Sequence, residues 1–236
     1  MYVARGGSGD PVLVLLHGLG GSAGVWHGLT ALLDTSWVAV DLPGHGRSDP
    51  LPRYSFGAVA AAVAEVLDPD RRHVLLGHSL GGVIALALAS GWYRIPVSAV
   101  CGLGIKVRWT PEELAKAAEL GARPNRVFAD HDEAMARALR VAGLTGADES
   151  LVREVDGGWQ LTLDPAAFAI GAPDMPGLLA ASRAPVTLAA GERDPMSPHD
   201  HLTALLPDPV ILPGLGHNAH VENPAALLPL LDRLHG

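Results

Sequence analysis

Short apolar runs alternate with Ala-rich stretches along most of this chain. Helical stretches begin at Phe56, Leu80 and Ala225, each after an apolar run or the loop that follows one. This alternation is what strand–helix–strand crossovers require. It predicts an α/β fold whose mostly parallel central sheet is flanked by helices. The predicted strands are apolar on both faces, as buried parallel strands are; they are 12–16, 37–41, 73–76, 97–103, 186–190 and 209–212.

The alternation stops between residues 104 and 183, where helical signals replace strand signals. A capping box at 110–113 opens one helix, and Asp130 with Glu133 opens another that stops at Gly143. A helical excursion between two parallel strands usually lies over their carboxyl ends, where ligands bind in such sheets.

The chain therefore divides into a core and an insertion. We expect residues 1–103 and 184–236 to form the core, and residues 104–183 to form a helical cap that is not an independent domain. The 236 residues suit one such unit.

Composition excludes several classes of protein. The net charge of −8, from 17 basic and 25 acidic residues, argues against a nucleic-acid partner. A single Cys permits neither an internal disulfide nor a zinc site with four Cys ligands. No apolar run is long enough to span a membrane. The first residues lack the apolar core of a signal peptide, so we expect a cytoplasmic protein, either monomeric or homodimeric.

The most specific motif is GHSLG at 77–81, directly after one predicted strand and directly before an Ala-rich helix. A nucleophile on a strand-to-helix elbow needs a strained backbone, and flanking glycines let neighbouring backbone pack closely. The alternative is a Gly-flanked turn whose Ser79 only caps the helix. The strand and the helix around the motif favour Ser79 as a nucleophile.

A serine nucleophile needs a base and an acid. In an architecture with the nucleophile on a strand-to-helix elbow, the expected chain order is Ser, acid, His, with the last two on loops after late strands. Asp194 follows the strand 186–190, and His217 follows the last predicted strand. Glu192 competes with Asp194, but Asp194 lies further out on its loop, before a proline. His220 competes with His217, but it approaches a helix start, where a structural hydrogen bond is the better interpretation.

The third requirement is an oxyanion hole. The Gly-rich turn HGLGG at 17–21 follows the first strong strand, so the Leu19 N–H can face the site. The Leu80 N–H, directly after the nucleophile, is the second expected donor. A dinucleotide loop would need G-x-G-x-x-G, and the glycines here have the wrong spacing. We expect no cofactor and no metal.

These motifs resemble those of the α/β-hydrolase fold family, particularly its small esterase, lactonase and haloperoxidase-like branch. The resemblance rests on five blocks in order, at 17–21, 41–48, 77–81, 191–194 and 216–224. In that family the second block is structural. The family commonly begins with two antiparallel strands, whereas only about ten residues precede Val12 here, so the first strand is expected to be missing or very short.

The resemblance implies a serine hydrolase of the carboxylesterase type. Ser79 would form an acyl-enzyme with a small carboxylic ester, thioester or lactone. His217 and Asp194 would complete the triad. Other activities stay open: carbon–carbon bond hydrolysis or elimination with the same triad, cofactor-free perhydrolysis, and a non-catalytic ligand-binding role.

The insertion occupies the family's cap position and offers candidates for lining a substrate pocket. They are large apolar residues, and the alternative for each is packing of the cap against the core. The candidates in the insertion are Trp109, Trp159, Phe168 and Met175, and Trp26 behind the Gly-rich turn is a fifth. The expected partner is a small-molecule substrate.

Overall fold

The computed structural model describes residues 1–146 and 148–235. Its strands in these residues are β1 (Val3–Gly6), β2 (Ser8–Leu16), β3 (Thr35–Val40), β4 (His73–His78), β5 (Val97–Leu103), β6 (Val127–Phe128), β7 (Val152–Val155), β8 (Gly158–Leu161), β9 (Val186–Gly191) and β10 (Val210–Leu212). Its α-helices are α1 (His27–Thr30), α2 (Phe56–Ala64), α3 (Leu80–Leu88), α4 (Pro111–Gly121), α5 (His131–Ala142), α6 (Met175–Ala181), α7 (His199–Thr203), α8 (Ala219–Glu222) and α9 (Leu228–His235). Among these residues no helix is long and apolar enough to cross a membrane.

The main sheet has seven strands in the order β1-β3-β2-β4-β5-β9-β10. β1 pairs antiparallel with β3, and every other pair in this sheet is parallel. All six predicted strands are present in it. The first strand is very short, four residues, and it lies at the edge. The predicted α/β fold with a mostly parallel sheet is therefore confirmed.

The core lies on both faces of the sheet. Val14 and Leu16 of β2 pack on one face and Leu13 and Leu15 on the other, because successive side chains of a strand point to opposite faces. One face is covered by α2 and α3, and the other by α9 and the 3₁₀ turn before it. Burial on both faces explains why the strands read as continuous apolar runs.

Local capping signals set the helix ends. Ser55 accepts a hydrogen bond from the Ala58 N–H at the start of α2, and the capping box of Thr110 with Glu113 is complete at the start of α4. Asn223 makes no side-chain cap, so the predicted C-terminal helix begins as a 3₁₀ turn, Pro224–Leu227, before α9.

The insertion is mixed rather than purely helical. Between α4 and α6 it contains a second sheet of three antiparallel strands, in the order β6-β8-β7, with α5 packed on it. These strands are two to four residues long, too short to produce a readable alternation. The expectation of a helical insertion was wrong on this point.

Polar contacts tie the insertion to the core. The Tyr54 hydroxyl donates to the Asp164 carboxylate at 2.8 Å, and the Asp164 N–H donates to the Gly44 carbonyl at 2.7 Å. The Ser22 hydroxyl donates to the Asp148 carboxylate. The small sheet and α5 have a separate apolar cluster of their own.

The buried helix α3 should dominate stability. Leu86 on α3 is fully buried, whereas Leu32 is 50% exposed. Replacing Leu86 with Ala should lower the free energy of unfolding by about 2–5 kcal/mol, because the lost transfer energy adds to the cost of a cavity. Urea denaturation checks this. Leu32→Ala is the matched control, and an equal loss in the two variants would contradict the packing described.

Candidate active site

Ser79 lies on a sharp turn between β4 and α3. Its φ is 51° and its ψ is −114°, a strained conformation for a residue with a side chain. The glycines explain how the turn fits: a Cβ on Gly77 would lie 2.1 Å from the Gly81 carbonyl oxygen, and one on Gly81 would lie 2.3 Å from the Leu16 carbonyl oxygen. The Ser79 N–H is held by the Leu103 carbonyl at 2.8 Å. The turn presents Ser79 to a cavity that His217 also lines.

His217 and Asp194 form a hydrogen-bonded pair in loops after β10 and β9. The His217 Nδ1–H donates to the Asp194 Oδ2 at 2.9 Å. The Asp194 side chain is fully buried, and its Oδ1 accepts from the Met196 N–H at 2.8 Å. With Nδ1 carrying the proton, the Nε2 atom of His217 keeps a lone pair for a proton from a nucleophile. Glu192 instead accepts from the Gly214 N–H at 2.7 Å.

His78 and His220 form a buried stack behind His217. The His78 ring lies 4.6 Å from the His217 ring and 4.3 Å from the His220 ring, and Trp26 lies 4.5 Å beyond His220. The His78 Nε2–H donates to the His217 carbonyl at 2.9 Å. Burial, with the neighbouring His220 and His217 rings, lowers the pKa of His78 well below its usual value.

His220 is buried and neutral. Burial is the main cause that lowers the pKa of His220 to about 3, with His217 and His17 adding to it. Its Nδ1 has no hydrogen-bond partner in the described residues. His220 therefore lacks the carboxylate partner that His217 has.

The Gly-rich turn after β2 lies against the nucleophile. A Cβ on Gly18 would lie 2.8 Å from the His78 Nδ1 and 3.2 Å from the Ser79 Cβ, so a side chain at this position would crowd both residues. Leu19 and Leu80 both line the cavity beside Ser79. Leu80 is the first residue of α3, where N–H groups have no intrahelical acceptor.

The block at 41–48 supports this turn from behind. The Asp41 carboxylate accepts from the Ala23 N–H at 2.6 Å and from the Arg47 N–H at 2.8 Å. His17 accepts from the Leu42 N–H at 2.9 Å through its Nε2. These contacts are internal to the loops and give the block no direct contact with Ser79.

Ser79 and His217 open onto the same cavity, which has a volume of about 350 Å³. Its wall is mostly apolar and includes Ile105, Leu114 and Ile170. The charged residues in this wall are Lys106 and Arg140. Lys106 is paired with Glu113, and its ammonium lies 4.8 Å from the centre of the Trp109 ring.

Two of the five predicted pocket residues line the cavity, Trp109 and Phe168. The prediction was wrong for Trp26, which is fully buried against His220. It was wrong for Trp159, which packs edge-on against His131 at 4.6 Å inside the insertion. It was also wrong for Met175, which is buried in the main core. All three side chains pack inside the core or the insertion, and these contacts depend on the tertiary structure, which a single sequence does not show.

Among the described residues, no group of three or more His, Cys, Asp or Glu side chains is arranged to hold a metal ion. Cys101 is buried, and burial raises the pKa of its thiol to about 12. It is therefore poorly suited to ligate a metal or to act as a nucleophile.

Comparison with known proteins identifies the family. Residues 13–230 match the model of the alpha/beta hydrolase family, which is most of the chain. The chain belongs to the alpha/beta hydrolase family. The resemblance inferred from the five sequence blocks is thus confirmed.

Relatives of this chain include named esterases. A pimeloyl-[acyl-carrier protein] methyl ester esterase of Methylococcus capsulatus is 31% identical over 215 residues, 84% of this chain and 82% of that protein. One of the same name from Aeromonas hydrophila is 48% identical over 92 residues, 37% of this chain and only 35% of that protein. A solved thioesterase domain from the curacin biosynthetic pathway shares the fold, with a TM-score of 0.78 and 22% identity over 97% of this chain and 94% of that one.

Several residues of the candidate site could not be predicted from the sequence. Gly104 follows β5 with a φ of 64°, and a Cβ there would lie 3.2 Å from the Asp194 Oδ2 and 3.4 Å from the His217 Nδ1. Residues 140–144 form a wall of the cavity, and Asn218 lines it beside the histidine. Of these, only Gly104 could have been noticed in the sequence, because it is a glycine directly after a predicted strand.

Buried His220 should make the protein less stable in mild acid. An unfolded His has a pKa of about 6.5, whereas folded His220 has a pKa of about 3. Between these values only the unfolded chain binds the proton, so the free energy of unfolding falls as the pH is lowered. His220→Phe keeps a ring against Trp26 and His78. This substitution should reduce the slope of the free energy of unfolding against pH by up to about 1.4 kcal/mol per pH unit between about pH 4 and 6.

Urea denaturation at a series of pH values measures this slope. His131 is the control, since its neighbours Asp132 and Glu149 raise its pKa. A histidine with a raised pKa stabilises the fold at low pH, and this stability is lost as the pH rises. His131→Phe should therefore not reduce the fall in the free energy of unfolding between about pH 6 and 4. Parallel curves for wild type and His220→Phe would show that the assigned shift is incorrect.

Proposed function

We propose that the chain is a serine hydrolase that cleaves a small carboxylic ester, thioester or lactone through an acyl-enzyme on Ser79. The observation that carries the proposal is the strained Ser79 turn sharing one cavity with the His217–Asp194 pair. A strained backbone at an exposed nucleophile, with a base oriented by a buried acid, is the arrangement that acyl transfer needs.

Each member of the triad has a defined part in the reaction. The Ser79 Oγ attacks the substrate carbonyl carbon while its proton passes to the His217 Nε2. The bond to the leaving group then breaks, and His217 returns the proton to the departing oxygen or sulfur. Water repeats the sequence on the acyl-enzyme and releases the acid. Asp194 holds the tautomer that leaves Nε2 free to accept, through the 2.9 Å bond to Nδ1.

The Leu19 and Leu80 N–H groups stabilise the oxyanion in this proposal. The close approach of Gly18 to Ser79 supports the position of the first, and the start of α3 supports the second. Each such donor is worth about 3–4 kcal/mol of transition-state stabilisation. The dipole of α3 adds a favourable field at the same point.

Residues 104–183 act as the cap over a core formed by 1–103 and 184–236. The cap contributes Trp109 and Phe168 to the cavity wall. A mostly apolar space of about 350 Å³ suits an apolar acyl or alcohol group and has no room for a macromolecule. The named activity of the Methylococcus relative, a methyl ester esterase, supports an ester as the substrate class.

Labelling with a fluorophosphonate tests the nucleophile. Wild type should acquire one label per chain and lose esterase activity, because the reagent phosphonylates an activated serine. Ser79→Ala should acquire none. Ser90→Ala is the control; Ser90 donates to the Ala87 carbonyl at the end of α3, away from the cavity wall, so labelling should persist. Label on Ser79→Ala, or none on wild type, rejects the assignment of Ser79.

Separate substitutions of the two histidines test the base. His217→Ala should lower kcat by about 10⁴-fold or more, since the nucleophile loses its proton acceptor. His220→Phe should retain most of kcat, because His220 has no carboxylate partner. Steady-state kinetics on aryl esters measure both. The opposite ranking would make His220 the base.

The same ester panel separates the other activities of this fold. Turnover of several esters with a burst of alcohol release indicates an acyl-enzyme hydrolase. Failure to acylate with any ester would favour carbon–carbon bond hydrolysis or elimination. A single slow turnover would indicate a ligand-binding protein, and peroxide-dependent peracid formation would indicate a perhydrolase.

A further inference from the structure

The residue next to the proposed base ties its loop to the insertion. Asn218 is 9% exposed, and its Nδ2 donates to the Gly143 carbonyl at 2.8 Å. The same nitrogen makes a longer contact of 3.4 Å with the Ala142 carbonyl. One amide therefore joins the loop after β10 to the end of α5.

The end of α5 needs such a donor. The helix stops at Gly143, which has a left-handed φ of 68°. The last carbonyls of a helix have no intrahelical partners and carry the negative end of its dipole. An amide N–H₂ group complements these oxygens, whereas a carboxylate would be repelled by them.

The tethered segment is a wall of the active-site cavity. Residues 140–144 line it in sequence. This wall also packs against the Gly-rich turn at 17–21. A Cβ on Gly20 would lie 3.0 Å from the Val141 Cγ1 and 3.4 Å from the Ala142 nitrogen. The wall is therefore held between the loop of the base and the turn beside the nucleophile.

We propose that Asn218 is a specificity-determining residue that sets which leaving group fits beside His217. The inference rests on the proposed hydrolase function. A base that protonates the leaving group must be within hydrogen-bond reach of it, so the wall nearest His217 borders the leaving-group side. Asn218 fixes the position of that wall relative to the base, and loss of the tether lets the wall move outward.

Asn125, within the insertion, is a matched control that separates a purely structural role of Asn218 from a role in specificity. The Asn125 Nδ2 donates to the carbonyls of Leu161 and Leu163, at 2.9 and 3.0 Å. Asn125 is not part of the cavity wall. Removing either amide leaves two main-chain carbonyls without that donor, but only Asn218 lies next to the base.

The test compares two series of esters. One series holds a butyryl group constant and changes the alcohol from methyl to butyl to benzyl; the other holds the methyl alcohol constant and lengthens the acyl chain. For Asn218→Ala, the ratio of kcat/KM for benzyl over methyl ester should rise about fivefold, the effect expected from one lost hydrogen bond. The acyl-chain ratios should stay within about twofold. Asn125→Ala should leave both sets of ratios within about twofold.

Asn218→Asp provides a second variant of the same shape. Its carboxylate can only accept hydrogen bonds, so it should shift the alcohol ratio in the same direction and at least as far. Thermal melting and fluorophosphonate labelling confirm that each variant is folded, and if Asn218→Ala is not, the Asp variant decides.

A uniform loss on all esters, or a shift in the acyl series instead, would overturn the role of Asn218 while leaving the hydrolase intact. Absence of any hydrolysis or labelling in wild type would overturn both proposals.

Discussion

The close contact between the Ser79 turn and the strand beside it is the constraint on which the site depends. Ser79 takes a strained backbone because β4 must reverse into α3 within one residue, and Gly77 and Gly81 leave no room for a Cβ between these backbones. The sheet and α3 bury enough apolar side chain to hold that strain. Every proposed function of the cavity follows from where this turn points the hydroxyl.

A second constraint is the burial of the other histidines near the site. His17, His45 and His220 all have pKa values lowered to between about 3 and 4, mainly by burial. Neutral rings add no positive charge beside His217. The hydrogen bond from the His78 side-chain Nε2–H to the His217 carbonyl holds this loop without an ionic partner.

Much of this arrangement could be predicted from the sequence, for physical reasons. The β4 and β5 strands are apolar on both faces, so the sequence predicts them. The glycines of GHSLG indicate the turn between β4 and α3. The order Ser79, Asp194, His217 is the one expected for this architecture, and the carboxyl ends of parallel strands bring the three loops to one edge of the sheet. The structure brings Asp194 and His217 together at 2.9 Å.

Other features depend on tertiary packing that no local pattern encodes. Strands of two to four residues in the insertion have too few positions to show a period. The sequence does not show whether Trp26 and Met175 lie in the core or in the cavity wall, since a large apolar side chain fits either place equally well. Asn218 was visible beside His217, but its partners at the end of α5 lie 75 and 76 positions away.

The separate apolar cluster of the insertion has a consequence for the shape of the cavity. The small sheet and α5 pack on one another, whereas Met175 at the start of α6 is buried in the main core, and polar contacts such as Tyr54 with Asp164 and Ser22 with Asp148 add to this connection. Val141 and Leu144 pack on this cluster and also line the cavity. In the proposed hydrolase, repacking of the small sheet with α5 would therefore reshape the cavity wall, while the apolar layers under Ser79 stay in place.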